Sequence, residues 1–536
     1  MDVRPSTAFV GIVAAIVVAA ALQSILIVRS GTVSADSIIF ISIARDLPQA
    51  PLETLRKQDQ HPGFAVAVLA TTRAVQWLGY RAEPESWMIG GRIVTFACGL
   101  LSVWVVWLLA RDLYDVRIAN LAAMAFAVLP VPRANAADAQ SDTAHLFFYL
   151  LATWLVMTAL AGGRPLRLVG AGLASGIAYW IRPEGLEVAL VGLACVIGYA
   201  VYAHWGWRRV GLSDAALAGT ALVVAAPYCV LAGKFTSKQI PFAKYQPTGT
   251  FIAQVADEEA NAKQKPATAA PTPPAVVERH YSLSLFLRLT GKAVTVYFYS
   301  ICQGFKFVFI PLYLIGMAAM VRNCQSWPPI VFLSLLGVLH TVVLLGVFVL
   351  SGYIAHRHVL PLVGLAMPFA ALGTVSLGNW LSRRTGVCPT YAITTVMGLS
   401  AAFVLASTLK PFNREFLPVI EATRWVEAHA EPGAGIVCNS PYVGFYGTRP
   451  TAILGPQAPT LDEAVAKAEV AARYDYVILH VGAHAYRPEW LSQILERYRP
   501  IQELPDPYCL PKKPRKVVIF EANQLEARRA QSGPNS

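Results

Sequence analysis

Long apolar runs separated by short polar turns occupy most of this chain. Runs near 8–28, 90–110, 117–132, 143–161, 168–182, 185–203, 212–232, 305–321, 328–350, 359–380 and 388–408 read as membrane helices, some of them short. The first is too long for a signal-peptide core and no small-residue cleavage site follows it, so it reads as a retained helix with Arg4 and the N-terminus in the cytoplasm. The stretch 61–80 has the length to cross, but Arg73 and Gln76 interrupt it, and it reads as lying on the membrane surface. After residue 410 the pattern changes. GAGIVCN, YDYVILHV and KVVIFEA read as strands, and TLDEAVAKAEVAARY as an amphipathic helix.

Charge sets the orientation. With 61–80 on the surface, one set of short turns holds Arg111, Arg117, Arg164, Arg167, Arg208, Arg209, Arg322, Arg383 and Arg384, and the other only Arg133, Arg182 and Arg357. The positive-inside rule assigns the first set to the cytoplasm. Eleven spans then put a first loop (29–89), a second loop (233–290) and the 411–536 domain on the outer face of a membrane domain covering 1–410. In the second loop, ADEEANAKQKPATAAPTPPAVVER cannot bury a core and reads as flexible, and the YSLSLFLRLTGKAVTVYFYSICQGF that follows reads as a second surface helix. Neither a short internal repeat nor an inverted pair of Gly/Pro-broken helices is visible.

Composition agrees. The chain is 55% hydrophobic and 14% charged with mean hydropathy +0.48, against roughly 25% charged residues in soluble domains. The net charge of +12 is spread over helix ends, which argues against nucleic acid. The eight cysteines form no CxxC; Cys98, Cys195, Cys229 and Cys388 fall in or beside apolar runs as packing residues. Whether Cys438 and Cys509 pair on the outer side is left open by their spacing.

The informative polar residues sit at the outer helix ends: Asp36, His61, Asp138, Asp142, Arg182, Glu184, Lys234, Lys238, His356, Arg357 and His358. Singly, each reads as an interfacial or snorkelling group. Together they bring both signs of charge to one face. Asp36, between the first helix and the apolar SIIFISIA, is a carboxylate with little access to water.

The order of segments resembles a known family. ADS and a late QHPGF in the first loop are followed by GGRIVTFACGLLSVWVVWLLARDLYD, PVPRANAADAQSDTAHLFFYLLATW, GLASGIAYWIRPEGL and SGYIAHRHVLPLVGLAMPFAALG. This series, over about 8–410, is similar to the GT-C membrane glycosyltransferases, in particular the group of dolichyl-phosphate-mannose protein mannosyltransferases and bacterial aminoarabinose transferases; GFYGTRP and YDYVIL resemble the soluble tails of bacterial members. The family's usual His-Pro-Pro is His61-Pro62-Gly63 here, its acidic pair is Asp36-Ser37, and its late Arg-Tyr is Arg357-His358.

The resemblance implies a mainly α, polytopic GT-C fold with a small extracytoplasmic α/β domain, in a bacterial inner membrane. It also implies sugar transfer from a polyprenyl-phosphate donor to a protein, lipid or glycan acceptor on the outer face. Such transfer needs a base for the acceptor and cations for the departing phosphate. Asp36 is the expected base, with an N-cap role for a helix starting at Ser37 as the competing reading. Asp142 either orients substrate or caps its helix. His356, Arg357 and His358 are phosphate contacts or interfacial anchors. Arg182 and Glu184 form an ion pair fixing a tight turn, or Arg182 meets phosphate. Lys234 and Lys238 anchor the second loop or greet a headgroup, and His61 orients Asp36 or caps its own helix. No cofactor is expected: the first loop has no DxD, and a divalent metal is compatible but not required. The rival reading is a transporter or flippase of lipid-linked sugars, disfavoured because the ionisable residues gather at helix ends instead of midplane.

Overall fold

A computed structural model describes residues 5–162, 165–202, 204, 206–236, 283–323, 327–351, 353–453, 475–481, 499–509 and 515–521. Its helices, in chain order, are α1 (Pro5–Arg29), α2 (Ala35–Asp46), α3 (Pro51–Lys57), α4 (Gly63–Trp77), α5 (Glu85–Leu113), α6 (Val116–Val128), α7 (Pro130–Ala137), α8 (Ser141–Gly162), α9 (Pro165–Ile181), α10 (Glu187–Tyr202), α11 (Trp207–Asp214) and α12 (Thr220–Ala232). They continue as α13 (Leu283–Gly304), α14 (Phe309–Asn323), α15 (Trp327–Ser351), α16 (Leu360–Thr385), α17 (Pro389–Thr408), α18 (Leu417–His429) and α19 (Pro441–Tyr446).

Among the described residues, eight helices are long and apolar enough to cross a membrane, and two bent pairs raise the number to ten. Leu166–Ile181 is a shorter apolar helix. Each of the eleven apolar runs therefore coincides with helix, and the chain is an integral, multi-pass membrane protein. The two bends have local causes. Leu129 precedes Pro130 and is extended (φ −67°, ψ 131°), so α6 ends there and α7 leaves at 60°. Between α13 and α14, Lys306 and Phe307 take left-handed backbone (φ 50° and 60°), and the two helices meet at 95°. The doubtful stretch 61–80 forms the 15-residue α4, shorter than the roughly 20 residues a span needs.

The chain divides into two compact units. The first comprises residues 1–25, 43–67 and 92–410 and contains most of the apolar helices. Its tightest crossing joins α14 and α16: a Cβ on Gly316 would fall on the Phe369 carbonyl oxygen, and one on Gly373 on the Leu312 carbonyl oxygen. Apolar attraction between helices is weak in lipid, and backbone-to-backbone approach at small residues replaces it.

The second unit gathers residues 26–42, 68–91 and 411–536. Its five-stranded sheet has the order β2-β1-β3-β5-β4, from β1 (Ile436–Cys438), β2 (Thr451–Ile453), β3 (Tyr476–Val481), β4 (Gln502–Pro505) and β5 (Lys516–Glu521). β1 runs parallel to β2 and β3, whereas β5 runs antiparallel to β3 and β4. The three expected strands are β1, β3 and β5. The two edge strands are three and four residues long, too short for the alternation to show. The expected helix TLDEAVAKAEVAARY lies outside the described residues, as do Lys238 and the Ala/Pro-rich part of the second loop.

Segment 26–42 is stitched to the same unit. Tyr442 Oη donates to the Val33 carbonyl at 2.8 Å, Tyr446 Oη and Thr32 Oγ1 share a hydrogen bond at 2.6 Å, and Arg414 Nε donates to the Arg29 carbonyl at 2.8 Å. The helix holding Asp36 starts at Ala35, not Ser37. The Ser34 hydroxyl accepts from the Ser37 amide at 3.3 Å and serves as cap, leaving Asp36 in the first turn. Cys438 and Cys509 are both free thiols; Cys438 is buried, which pushes its thiol up to about 12.

Gly373→Val sets a branched side chain against the backbone of α14, and overpacking of this kind costs about 1–3 kcal/mol. Thermal unfolding of the detergent-purified variant should show a lower midpoint than wild type; an unchanged midpoint would mean the close crossing is absent.

Candidate active site

Five of the residues singled out from the sequence converge inside the first unit. Asp142 opens α8, and His145 follows at the i+3 position on the same face. Arg182 closes α9. Because Pro183 follows, Arg182 is extended (φ −154°, ψ 142°), and the chain enters a 3₁₀ turn over Pro183–Leu186. The turn is held by the Gly185 amide on the Arg182 carbonyl (3.0 Å) and the Ser175 hydroxyl on the Gly185 carbonyl (2.7 Å).

This geometry aims the Arg182 guanidinium at two carboxylates. Nη1 donates to Asp142 Oδ1, and Nε lies 3.6 Å from Glu184 Oε2. All three groups are nearly buried, so each depends on the others for its charge. Burial opposes the charge on Arg182, and the two carboxylates beside it offset that cost. The ion pair read for Arg182 and Glu184 is present, and Asp142 engages Arg182 in addition to opening a helix.

Arg357 lies in the turn between α15 and α16. Its Nη1 donates to Gln140 Oε1 at 3.0 Å; Gln140 Nε2 in turn donates to Asp138 Oδ2 at 2.9 Å. Asp142, His145, Arg182, Glu184, His340, Arg357 and His358 line one hollow of about 10 Å³, the room of a single water. Beside it runs an apolar groove of about 590 Å³ between α13, α14, α15 and α16. Hollow and groove share two helices: His340, Leu344, Leu360 and Pro361 face the hollow, whereas Gly337, Thr341, Leu362 and Leu365 face the groove.

The remaining candidates lie elsewhere. Both ring nitrogens of buried His61 are engaged, Nδ1 with the Tyr179 carbonyl at 2.8 Å and Nε2 with Thr236 Oγ1 at 3.2 Å. Next to it, Gly63 lies so close to α9 that a Cβ would sit 2.7 Å from the Trp180 carbonyl, which explains why His-Pro is followed by glycine. Lys234 Nζ donates to the Arg56 and Gln58 carbonyls at 2.9 and 3.1 Å, closing the C-terminal end of α3. His356 is exposed, and Asp36 belongs to the second unit. Among the described residues no group of three or more His, Cys, Asp or Glu is arranged to hold a metal ion.

Four site residues escaped the sequence reading: His145, His340, Tyr149 and Glu187. The signal for three of them was present: His340 and Glu187 are ionisable groups inside apolar runs. That for His145 was its spacing from Asp142.

Arg182→Ala would strand two buried carboxylates, a change worth about 3–5 kcal/mol. The variant should melt well below wild type, and adding Asp142→Asn and Glu184→Gln should recover part of the loss. Equal melting of all three proteins would contradict the pairing.

Residues 75–231, from α4 to α12, match the profile of a family described as dolichyl-phosphate-mannose-protein mannosyltransferase. The matched segment contains Asp142, Arg182, Glu184 and Glu187. No curated protein matches the chain by sequence. The fold is similar to that of ArnT from Cupriavidus metallidurans in a structure bound to undecaprenyl phosphate, at 14% identity over 96% of this chain and 98% of that one, with TM-score 0.56. It is similar also to the oligosaccharyltransferase of Archaeoglobus fulgidus in the apo form, at 12% identity over 87% of this chain and 69% of that one, with TM-score 0.54. The same archaeal enzyme tethered with an acceptor peptide gives 12% identity, coverage of 97% and 74%, and TM-score 0.58. The family match over 75–231 and the shared fold bear out the resemblance carried by the motif order: the chain has the fold of these GT-C membrane glycosyltransferases, and its segment 75–231 is similar to the mannosyltransferase family.

Proposed function

We propose that the protein moves a sugar from a polyprenyl-phosphate donor to a hydroxyl- or amine-bearing protein, lipid or glycan acceptor on the outer face of the membrane. The observation that carries this reading is the junction of hollow and groove on α15 and α16. A polar site with two guanidinium groups passes within one helical residue, His340 to Thr341, into an apolar channel. That is the profile of an amphiphile with an anionic head and a hydrocarbon tail. Two solved relatives by fold carry such ligands: ArnT with undecaprenyl phosphate and the archaeal oligosaccharyltransferase with a dolichol-phosphate.

The prenyl chain lies in the groove, and its phosphate meets Arg357 at the hollow. Arg182, clamped by Asp142 and Glu184, supplies a fixed positive wall. The bond between the anomeric carbon and the phosphate oxygen breaks as the acceptor attacks from the opposite side of the ring. The product is inverted at that carbon. Asp36 takes the acceptor's proton, and the electron pair leaves with polyprenyl phosphate, whose charge Arg357 stabilises. The role of Asp36 rests on its place after the first helix and on its position in the first turn of α2. Asp142 and Glu184 hold Arg182 without touching the sugar. His356 and His358 flank Arg357, and His358 closes the same turn.

Proteoliposomes loaded with a polyprenyl-phosphate sugar and an acceptor test the reading. Release of polyprenyl phosphate with sugar on the acceptor supports it; donor crossing the bilayer intact marks a transporter instead. Asp36→Asn should slow transfer by about 10²–10⁴-fold. Arg357→Ala should slow it by about 10²-fold or more. Full transfer by either variant removes that residue from its role.

A further inference from the structure

His340 stands in the middle of α15, 2% exposed, on a helix whose other residues are almost all apolar. Its Nδ1 is 2.7 Å from Glu187 Oε2 on α10, and its Nε2 is 3.2 Å from the backbone carbonyl of His358. Tyr149 on α8 donates its hydroxyl to the same Glu187 oxygen at 3.0 Å. Three buried side chains from three helices and the carbonyl of a half-buried turn residue are thereby joined in a line.

The protons on that line are fixed by chemistry. A carbonyl oxygen only accepts, so Nε2 must carry hydrogen. The Tyr149 hydroxyl already donates to Glu187, so the short contact between Nδ1 and the carboxylate holds one further proton, as imidazolium with glutamate or as imidazole with glutamic acid. In both cases Nε2–H points at His358 and the ring cannot turn. Within the 355–360 turn the His358 amide donates to the Ala355 carbonyl (2.9 Å), the Ala355 amide to His358 Nδ1 (3.3 Å), and the Leu360 amide to the Arg357 carbonyl (3.3 Å). The bond from His340 ties the backbone beside Arg357 to another helix.

We propose that His340 is a positioning residue: through the His358 carbonyl it sets where the Arg357 guanidinium stands, and Glu187 and Tyr149 set His340. This rests on the proposed function in assigning Arg357 to the donor phosphate, and an arginine displaced by about 1 Å loses on the order of 10²-fold in rate. Glu187 and His340 are then retained in lipid for the aim of a group neither touches.

A double-mutant cycle on transfer from a polyprenyl-phosphate sugar, with a cryo-EM structure of His340→Phe in nanodiscs, tests the idea. His340→Phe should slow transfer by about 10–100-fold in the wild-type background and have almost no further effect in Arg357→Ala, because the second change acts only through the first. In Glu187→Gln the amide N–H groups can donate to Nδ1 of a neutral imidazole and to the Tyr149 oxygen, which turns from donor to acceptor, and this variant should lose at least tenfold less activity than Glu187→Ala. In the His340→Phe structure the Arg357 guanidinium should have left Gln140. Equal losses in both backgrounds, or Arg357 still on Gln140, would overturn the proposal. If the wild-type protein transfers no sugar, the proposed function fails, and the structure of His340→Phe alone decides the positioning.

Discussion

One buried cation holds the site together. Arg182 ends an apolar helix and turns between Asp142 and Glu184, from which water is nearly excluded. Removing three charged groups from water is expensive, and the cost is offset only if geometry stays fixed. The fixing is done by neighbours that carry no charge. Pro183 forces Arg182 out of the helix, Gly185 lets the turn lie against α9, and Ser175 holds its carbonyl. The result is a rigid electrostatic wall whose cation is already satisfied. A second cation, Arg357, stands at the same hollow on a turn held by hydrogen bonds to its backbone.

That division of labour fits the chemistry of lipid-phosphate sugars. The leaving group is an anion at the end of a long hydrocarbon, and the enzyme has to hold both parts at once. In the proposed function, helices α15 and α16 do so by alternating which face they show. Residues one step apart line the polar hollow and the apolar groove. Where α16 crosses α14, glycine replaces side chains, so that wall of the groove is set by backbone contact.

Much of this was legible in the sequence, but unevenly. The eleven apolar runs mark where helices lie, since apolar length is the one property a span must have. The two bends were not read, although Pro130 carries the cue for the first; nothing in GFKF announces the left-handed pair at Lys306 and Phe307. Asp142, Arg182, Glu184 and Arg357 were picked out as charges at helix ends, and they do converge. His61 and Lys234 were picked on the same grounds and turn out to bond backbone carbonyls, because a polar group at a helix end serves the fold as readily as it serves a ligand. His340 and Glu187 were hidden by their surroundings: a single ionisable residue barely alters the hydropathy of a long run. The bonds from Tyr442 and Tyr446 to the first loop span about four hundred residues, a separation at which sequence pattern carries no pairing information.

The account stands on the lipid phosphate occupying the junction of hollow and groove. A cryo-EM structure in nanodiscs with a polyprenyl phosphate bound measures this directly. Phosphate density beside Arg357 and His358, with the first isoprene units between α15 and α16 near Gly337 and Leu365, is the predicted result. Phosphate seated away from Arg357, or a groove filled only by bilayer lipid while the polyprenyl phosphate binds elsewhere, would contradict it.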